Sequence, residues 1–258
     1  MKSAEIIYHD GISRLLNHPL RGINTLHYPL LRTASIKDVI ESTGIPHTEI
    51  GRLQVNGADI DFSYILQDSD RVEVWPCHHP VDVLTPTQLC PTPLPRHAFI
   101  VDINVGKLAG WLRFLGFDAK DGKSMNDQAI AECSHREGRI VLTRDKSLLK
   151  RKIVLHGHLV RATEPFLQIQ EVIRFYGLRE LIKPFTRCLR CNGILASVRK
   201  DTIENRLQPL TRKYYHHFKA CPDCDAIYWA GSHVEKMNAM LERILRDLDQ
   251  SDPGPGIV

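Results

Sequence analysis

Apolar and polar residues alternate over residues 4–8 and again, strictly, over 71–75, the two-residue period of strands with one face buried. Between them, residues 36–42 carry a helical period, with Ser35 placed to cap the start and Gly44 just past the end. Leu53-Gln-Val-Asn-Gly57 reads as a strand running into an Asn-Gly turn, and Asp68-Ser-Asp70 as a second turn. Strands around one helix within about 75 residues predict a ubiquitin-like β-grasp over 1–78.

The pattern then stops. Six of the fifteen prolines fall between residues 76 and 97, which removes backbone donors and favours extended chain. This predicts a Pro-rich linker over 79–96. From Phe99 short apolar runs alternate with helical periods. Phe99-Ile-Val101 is a buried strand ending at Asp102. Val105, Leu108, Leu112 and Leu115 trace a helix stopped by Gly116. Asn126 caps a helix through Glu137, with Gly138 beyond, and 139–143 is the next strand. Residues 157–160 form another strand, and Pro165 opens a helix that Gly177 closes. Strands alternating with helices predict a parallel sheet over 97–183. Val234, Met237, Leu241, Ile244 and Leu248 mark one face of a last helix, placed with a small cysteine-bearing module over 184–248. A disordered tail is expected over 249–258.

Charge divides the chain along the same lines. The net charge is only +4, yet residues 1–80 carry 7 Lys/Arg against 10 Asp/Glu, 81–186 carry 16 against 11, and 187–219 carry 8 against 2. A basic, aromatic-containing remainder suits a polyanionic partner. No apolar run is long enough for a membrane helix and the first residues lack a signal-peptide stretch, so a cytoplasmic location is expected.

Cytosolic thiols are kept reduced, which turns paired cysteines towards metal. Cys188-Leu-Arg-Cys191 and Cys221-Pro-Asp-Cys224 are two C-x-x-C knuckles separated by 29 residues. Four thiolates complete a closed tetrahedral site, so structural Zn²⁺ is the expected ion. Arg212, Lys213, Tyr214 and Tyr215 lie between the knuckles; cations there can hold phosphates, and the aromatics either stack on bases or pack the ribbon.

The second chemistry is acidic. Asp102 and Asp145 each follow a predicted parallel strand, at the sheet edge where open α/β sheets bind ligands. Asp127, at the start of the middle helix, can reach that edge or serve only as a cap. Strand-end carboxylates suit a hard cation, Mg²⁺ or Mn²⁺, and such ions assist phosphoryl chemistry. Lys107, Arg113, Arg144 and Lys146 surround the strand ends, with Lys107 and Arg144 the best placed for phosphate; Thr143 adds a hydroxyl. His233 either reaches the acidic edge or caps the last helix.

Asp102-Ile-Asn-Val-Gly-Lys-Leu-Ala-Gly-Trp-Leu-Arg-Phe-Leu-Gly-Phe-Asp118 followed by Arg139-Ile-Val-Leu-Thr-Arg-Asp145 resembles the C-terminal RNase domain of Mut-7-type exonucleases, a PIN-like family. The resemblance runs through both knuckles to Ile227-Tyr-Trp-Ala-Gly-Ser-His233 and covers about 97–240. Gly44-Ile-Pro-His-Thr-Glu49, Val55-Asn-Gly57, Asp61-Phe-Ser-Tyr64 and Arg71-Val-Glu-Val-Trp-Pro76 resemble the ubiquitin-like domain that precedes it in bacterial proteins. The resemblance implies an α/β architecture of three modules: a β-grasp, a PIN-like parallel sheet domain and a C-terminal zinc ribbon.

It further implies metal-dependent hydrolysis of RNA, with Asp102, Asp127 and Asp145 as an acidic metal cluster. PIN-like nucleases usually have a fourth acid, for which Asp121 and Glu132 are the candidates. RNA contacts are expected from Lys107, Arg113, Arg144, Arg212 and Lys213. Two other readings stand beside it: a catalytically silent RNA- or ribosome-binding protein acting through the ribbon, and an adaptor that holds a protein partner through the β-grasp. A sulfur-carrier role is excluded for this block, because the chain continues through Trp75-Pro76-Cys77 where that chemistry needs a free Gly-Gly end.

Overall fold

The computed structural model describes residues 2–250, without the side chains of residues 232, 233, 235, 236, 249 and 250. The expected tail beyond 250 and the side chain of His233 therefore lie outside the described residues.

The N-terminal sheet has strand order β2-β1-β5-β3-β4, formed by Ser3–Tyr8 (β1), Thr25–Pro29 (β2), Ile50–Val55 (β3), Ala58–Asp59 (β4) and Arg71–Pro76 (β5). The two alternating segments, β1 and β5, are its parallel centre. Ala4, Ile6, Tyr8, Val72 and Val74 point inward, against helix α1 (Ile36–Thr43). Ser35 Oγ accepts from the Asp38 amide at 3.2 Å, and Gly44 closes the helix at φ 118°. Any side chain at Gly44 would strike the backbone of Asn17 at 2.6 Å. Edge strand β2 has no counterpart in the sequence reading.

The second sheet is parallel throughout, in the order β7-β6-β8-β9: Ala98–Val101 (β6), Asp118–Asp121 (β7), Ile140–Thr143 (β8) and Gly157–Leu159 (β9). All residues of β6 and β8 are buried, as strands covered on both faces must be. Alternation sorts them between two cores. Phe99, Val101, Ile140 and Leu142 pack with α2 (Lys107–Phe114) and α5 (Pro165–Tyr176). Ile100 and Val141 pack with α3 (Asp127–Glu137) and α4 (Lys146–Leu149), and this second cluster is continuous with the β-grasp core. The two domains thus share one apolar interior.

Polar groups complete that junction. Glu49, almost fully buried, accepts from the Leu159 amide at 2.7 Å, lies 3.2 Å from His158 Nδ1 and receives Arg161 at 2.6 Å. His158 Nε2 meets Glu171 at 2.8 Å. Burial alone would raise the Glu49 carboxyl; the His158 charge and hydrogen bond, Arg161 and the Leu159 amide outweigh it and hold it down at about 2. Burial opposes charge on His158 as well, but Glu49 and Glu171 shift its pKa upward.

Strand β7 was not foreseen, because Asp118-Ala-Lys-Asp121 lacks an apolar alternation. Asp118 sits inside the strand at an ionic junction, 2.7 Å from Arg139 and 2.8 Å from Asn192. Residues 79–96 contain no regular element, yet they are docked: Val83 and Leu94 are buried in the second core, and Val81 bonds Phe175 through its backbone.

The cysteine module is a three-stranded antiparallel ribbon, Ala196–Val198 (β10), Phe218–Ala220 (β11) and Ile227–Trp229 (β12), with α6 (Pro209–Tyr214) before β11. The last helix, α7 (Ser232–Gln250), belongs elsewhere than grouped. Ile244 is fully buried in the parallel-sheet core, with Met237, Leu241 and Leu248 beside it, so α7 packs on α5. Among the described residues no helix is long and apolar enough to cross a membrane.

Candidate functional site

The chain leaves β6, forms β7 on one side, then crosses to β8 on the other. That reversal opens the C-terminal edge of the sheet between β6 and β8, the topological switch point where such sheets take ligands. Asp102 follows the last residue of β6, and Thr143 ends β8. Asp145 caps α4, accepting from the Ser147 amide at 2.7 Å.

One buried hydroxyl joins these groups. Thr143 Oγ1 donates to Asp102 Oδ2 at 2.7 Å and accepts the Asp145 amide at 2.9 Å. Asn104 Nδ2 donates to the same Asp102 oxygen at 2.6 Å and to Thr143 Oγ1 at 3.2 Å, while its Oδ1 accepts the Arg144 amide at 3.0 Å. The other Asp102 oxygen accepts the Ile103 amide at 2.6 Å. Asp102 is therefore the fixed carboxylate of the edge, its orientation set by both strands. Asn104 was missed by sequence reasoning: an Asn two residues past a strand reads as a turn residue until its partner across the switch point is known.

A cleft of about 650 Å³ opens beside Asp102, lined by Ile103, Asn104, Lys107, Asp121, Lys123 and Glu164 among others. Asp121 lies in register with Val101, one strand over from Asp102. Of the two fourth-acid candidates, it is the one at this cleft; Glu132 is exposed on α3 and accepts from Gln128 at 2.6 Å. Lys107, expected at phosphate, lines the cleft and is exposed. Asp127 is drawn towards α4, with Arg151 at 3.9 Å. Among the described residues no three acids converge closely enough to share one ion.

Of two expected phosphate contacts, Arg113 has other work and Arg144 is tethered but exposed. Arg113 is buried: it donates to Ala119 O at 2.8 Å, Leu189 O at 3.0 Å and Arg190 O at 3.2 Å, tying β7 to the first cysteine knuckle. Contrary to the expectation of an RNA contact, a guanidinium sealed between carbonyls cannot reach phosphate. Arg144 is exposed but one of its nitrogens holds Arg161 O at 3.0 Å and Ala162 O at 2.6 Å. Arg212 and Lys213 stand exposed on α6, far in sequence from the strand ends, with Lys213 over the Tyr214 ring; Tyr215 instead packs towards Trp229.

The four cysteines do converge. The sulfurs of Cys188, Cys191, Cys221 and Cys224 all lie within 4.8 Å of one another, with Cys191–Cys221 at 3.3 Å and Cys188–Cys224 at 3.5 Å. Zn–S bonds of about 2.3 Å in a tetrahedron require sulfur separations near 3.8 Å, so the set fits Zn²⁺. Both knuckles repeat one backbone pattern. The Cys188 amide bonds Gly193 O and the Asn192 amide bonds Cys188 O; the Cys221 amide bonds Ala226 O and the Asp225 amide bonds Cys221 O. Asn192 and Asp225 take the matching positive φ, a conformation Asn and Asp tolerate.

Ionisation agrees with a metal. Burial disfavours the Cys188 thiolate, but the Tyr228 hydroxyl and backbone amides stabilise it and bring its pKa down to about 6. Cys191, despite help from the Gly193 amide, is pushed up to about 12 by burial and the neighbouring sulfurs. Four clustered thiols cannot all ionise without a cation between them.

Residues 97–241 match the family model described as Mut7-C RNAse domain, which spans more than half of the chain, and residues 1–82 match the model described as Mut7-C ubiquitin. No curated protein and no solved structure matches.

Proposed function

The chain belongs to the Mut7-C RNAse domain family, and from that premise we propose that it is a metal-dependent ribonuclease whose reaction centre is Asp102. The observation that carries this reading is the Asp102–Thr143 bond across the switch point, which holds a carboxylate in fixed orientation next to a cleft lined by Lys107, Lys123, Asp121 and Glu164.

The donor set suits Mg²⁺ or Mn²⁺ better than its dispersion first suggests. Mg²⁺ keeps several waters and is bound through one or two carboxylates plus substrate phosphates, so no cage of three acids is required. Asp102 is the anchored ligand, with Asp121 and Asp145 flanking it; Asp127 forms a loose, exposed pair with Arg151 at 3.9 Å. A bound ion would activate water and offset charge on the phosphate. Ile103 N, Asn104 and Thr143 fix the Asp102 oxygens, so nothing need reorganise as substrate arrives. Lys107 and Lys123 hold the phosphodiester in the cleft. Arg212 and Lys213, on the ribbon, hold RNA outside it.

Cleavage of mixed RNA with added Mn²⁺, wild type beside Asp102→Asn, tests the reading. Loss of cleavage with RNA binding retained is expected. An Asp102→Asn protein as active as wild type sinks the assignment and leaves the ribbon as a binding module without catalysis.

A further inference from the structure

The cations around the Asp145 end of the sheet come from two domains. Lys146, the residue after Asp145, donates to Leu15 O in the β-grasp turn Ile12–Leu15. Lys150, one turn later, donates to Glu41 O at 2.7 Å, with the Glu41 carboxylate also nearby. Arg144 is held by Arg161 O and Ala162 O. A carbonyl satisfies the hydrogen bonds of a cation without cancelling its charge. Among the described residues none of Arg144, Lys146 and Lys150 forms an ion pair.

Arg21 adds to this row. It is exposed on the β-grasp loop that follows the Leu15 turn, and that loop is tied back by the Gly22 amide to Ser13 O. Ser13 lies two residues before Leu15, whose carbonyl holds Lys146, so the loop that carries Arg21 borders Lys146. The arrangement is rigid, because the domains share a core and His47 Nε2 meets Val154 O at 2.8 Å. Like charges gathered across a fixed junction repel one another, and a polyanion relieves that repulsion. A protein interface would need an apolar centre. The exposed residues of this loop are Asn17, His18, Pro19, Arg21, Gly22, Ile23 and Asn24, in which Ile23 is a lone large apolar side chain.

We propose that the β-grasp domain forms the outer bank of the substrate path: single-stranded RNA leaving the Asp102 cleft past Asp145 lays its phosphates along Arg144, Lys146 and Arg21. This rests on the ribonuclease reading. It assigns the N-terminal domain a direct part in holding substrate.

The test is binding of 5′-labelled oligouridylates of about 15 and about 4 nucleotides, followed by anisotropy against salt without added divalent cation. The proteins are wild type, Arg21→Ala and Lys107→Ala, each with its melting temperature checked. Arg21→Ala is expected to bind the longer oligomer several-fold more weakly, with a salt slope shallower by about 1, and the loss shrinks for the short one. If Arg21→Ala matches wild type on the longer oligomer while Lys107→Ala weakens both, the inference fails and the ribonuclease reading stands. Wild type that binds neither overturns both. Capture of polyglutamate that Arg21→Ala abolishes, with RNA binding unchanged, would give the surface to an acidic protein and overturn the proposal.

Discussion

Asn192 accepts the backbone amide of Ala119 at 3.1 Å, so the first cysteine knuckle supplies the partner that edge strand β7 lacks. Its other side-chain atom donates to Asp118 at 2.8 Å, and Arg113 reaches from α2 to two knuckle carbonyls. Ribbon and parallel sheet are thereby one mechanical unit.

Arg113→Ala should loosen that unit. Three carbonyls lose a charged donor, at a cost of roughly 3 kcal/mol. The expected phenotype is a lower melting temperature and faster proteolysis between the sheet and the ribbon, with zinc still bound because the cysteines are untouched. Arg113→Ala as stable as wild type would show that the bridge adds nothing.

Zinc itself should be stoichiometric. Cys191→Ser or Cys224→Ser is expected to lose about one equivalent of Zn²⁺ and to unfold the ribbon, since metal binding supplies much of the stability of so small a module. Elemental analysis of freshly purified wild type is the check; a protein free of zinc rejects the site.

How much of this was legible in the sequence depends on the range of the interaction. Ser35 and Gly44 announce their helix because a cap is made with residues three or four away. The C-x-x-C knuckles are equally local, and two of them at a suitable distance predict one site. Arg113 reads as a surface cation until residues 189 and 190, more than seventy positions later, fold over it. Asp127 reads as a third ligand because strand-helix order brings it to the right edge; its Arg151 neighbour is set by how α3 lies against α4. Strand β7 was hidden for a different reason, since its buried charge, Asp118, is satisfied by Arg139 and Asn192 and not by water.

Asp145→Asn separates chemistry from affinity. Asp145 repels phosphate when no cation is present, so its neutralisation should leave RNA binding equal or slightly tighter while Mn²⁺-dependent cleavage is lost. Arg212→Ala with Lys213→Ala should do the reverse, flattening the salt slope by about 1–2 units and sparing the single-turnover rate on saturating RNA. Filter binding and single-turnover cleavage on the same preparations read both. Full cleavage by Asp145→Asn removes it from the centre.

The domain junction carries a pH signature. Glu49 has a folded value of about 2 against an ordinary 4.5, so its contribution is complete above 4.5 and is lost as pH falls towards 2. For a shift of that size the contribution is about 3 kcal/mol. His158 is shifted upward from 6.5, so its share is complete below 6.5 and fades as pH rises through the folded value. Melting temperature should therefore fall on acidification below 4.5, and Glu49→Gln, less stable at neutral pH, should lose that slope. A Glu49→Gln protein with the wild-type acid profile would place the titration elsewhere.

The β9 border of the parallel sheet is closed in the same manner as the β7 border: Leu159 gives its amide to Glu49, as Ala119 does to Asn192. Neither neighbour is a strand, so the closure ends the ladder and offers no template for another. Residues 97–183 expressed alone would be left with two open borders of unsatisfied amides and carbonyls, in a sheet only four strands wide. Such a fragment is built to add strands from its own copies and to drop out of solution as fibrils. The appended modules, whatever they bind, keep this parallel sheet from polymerising.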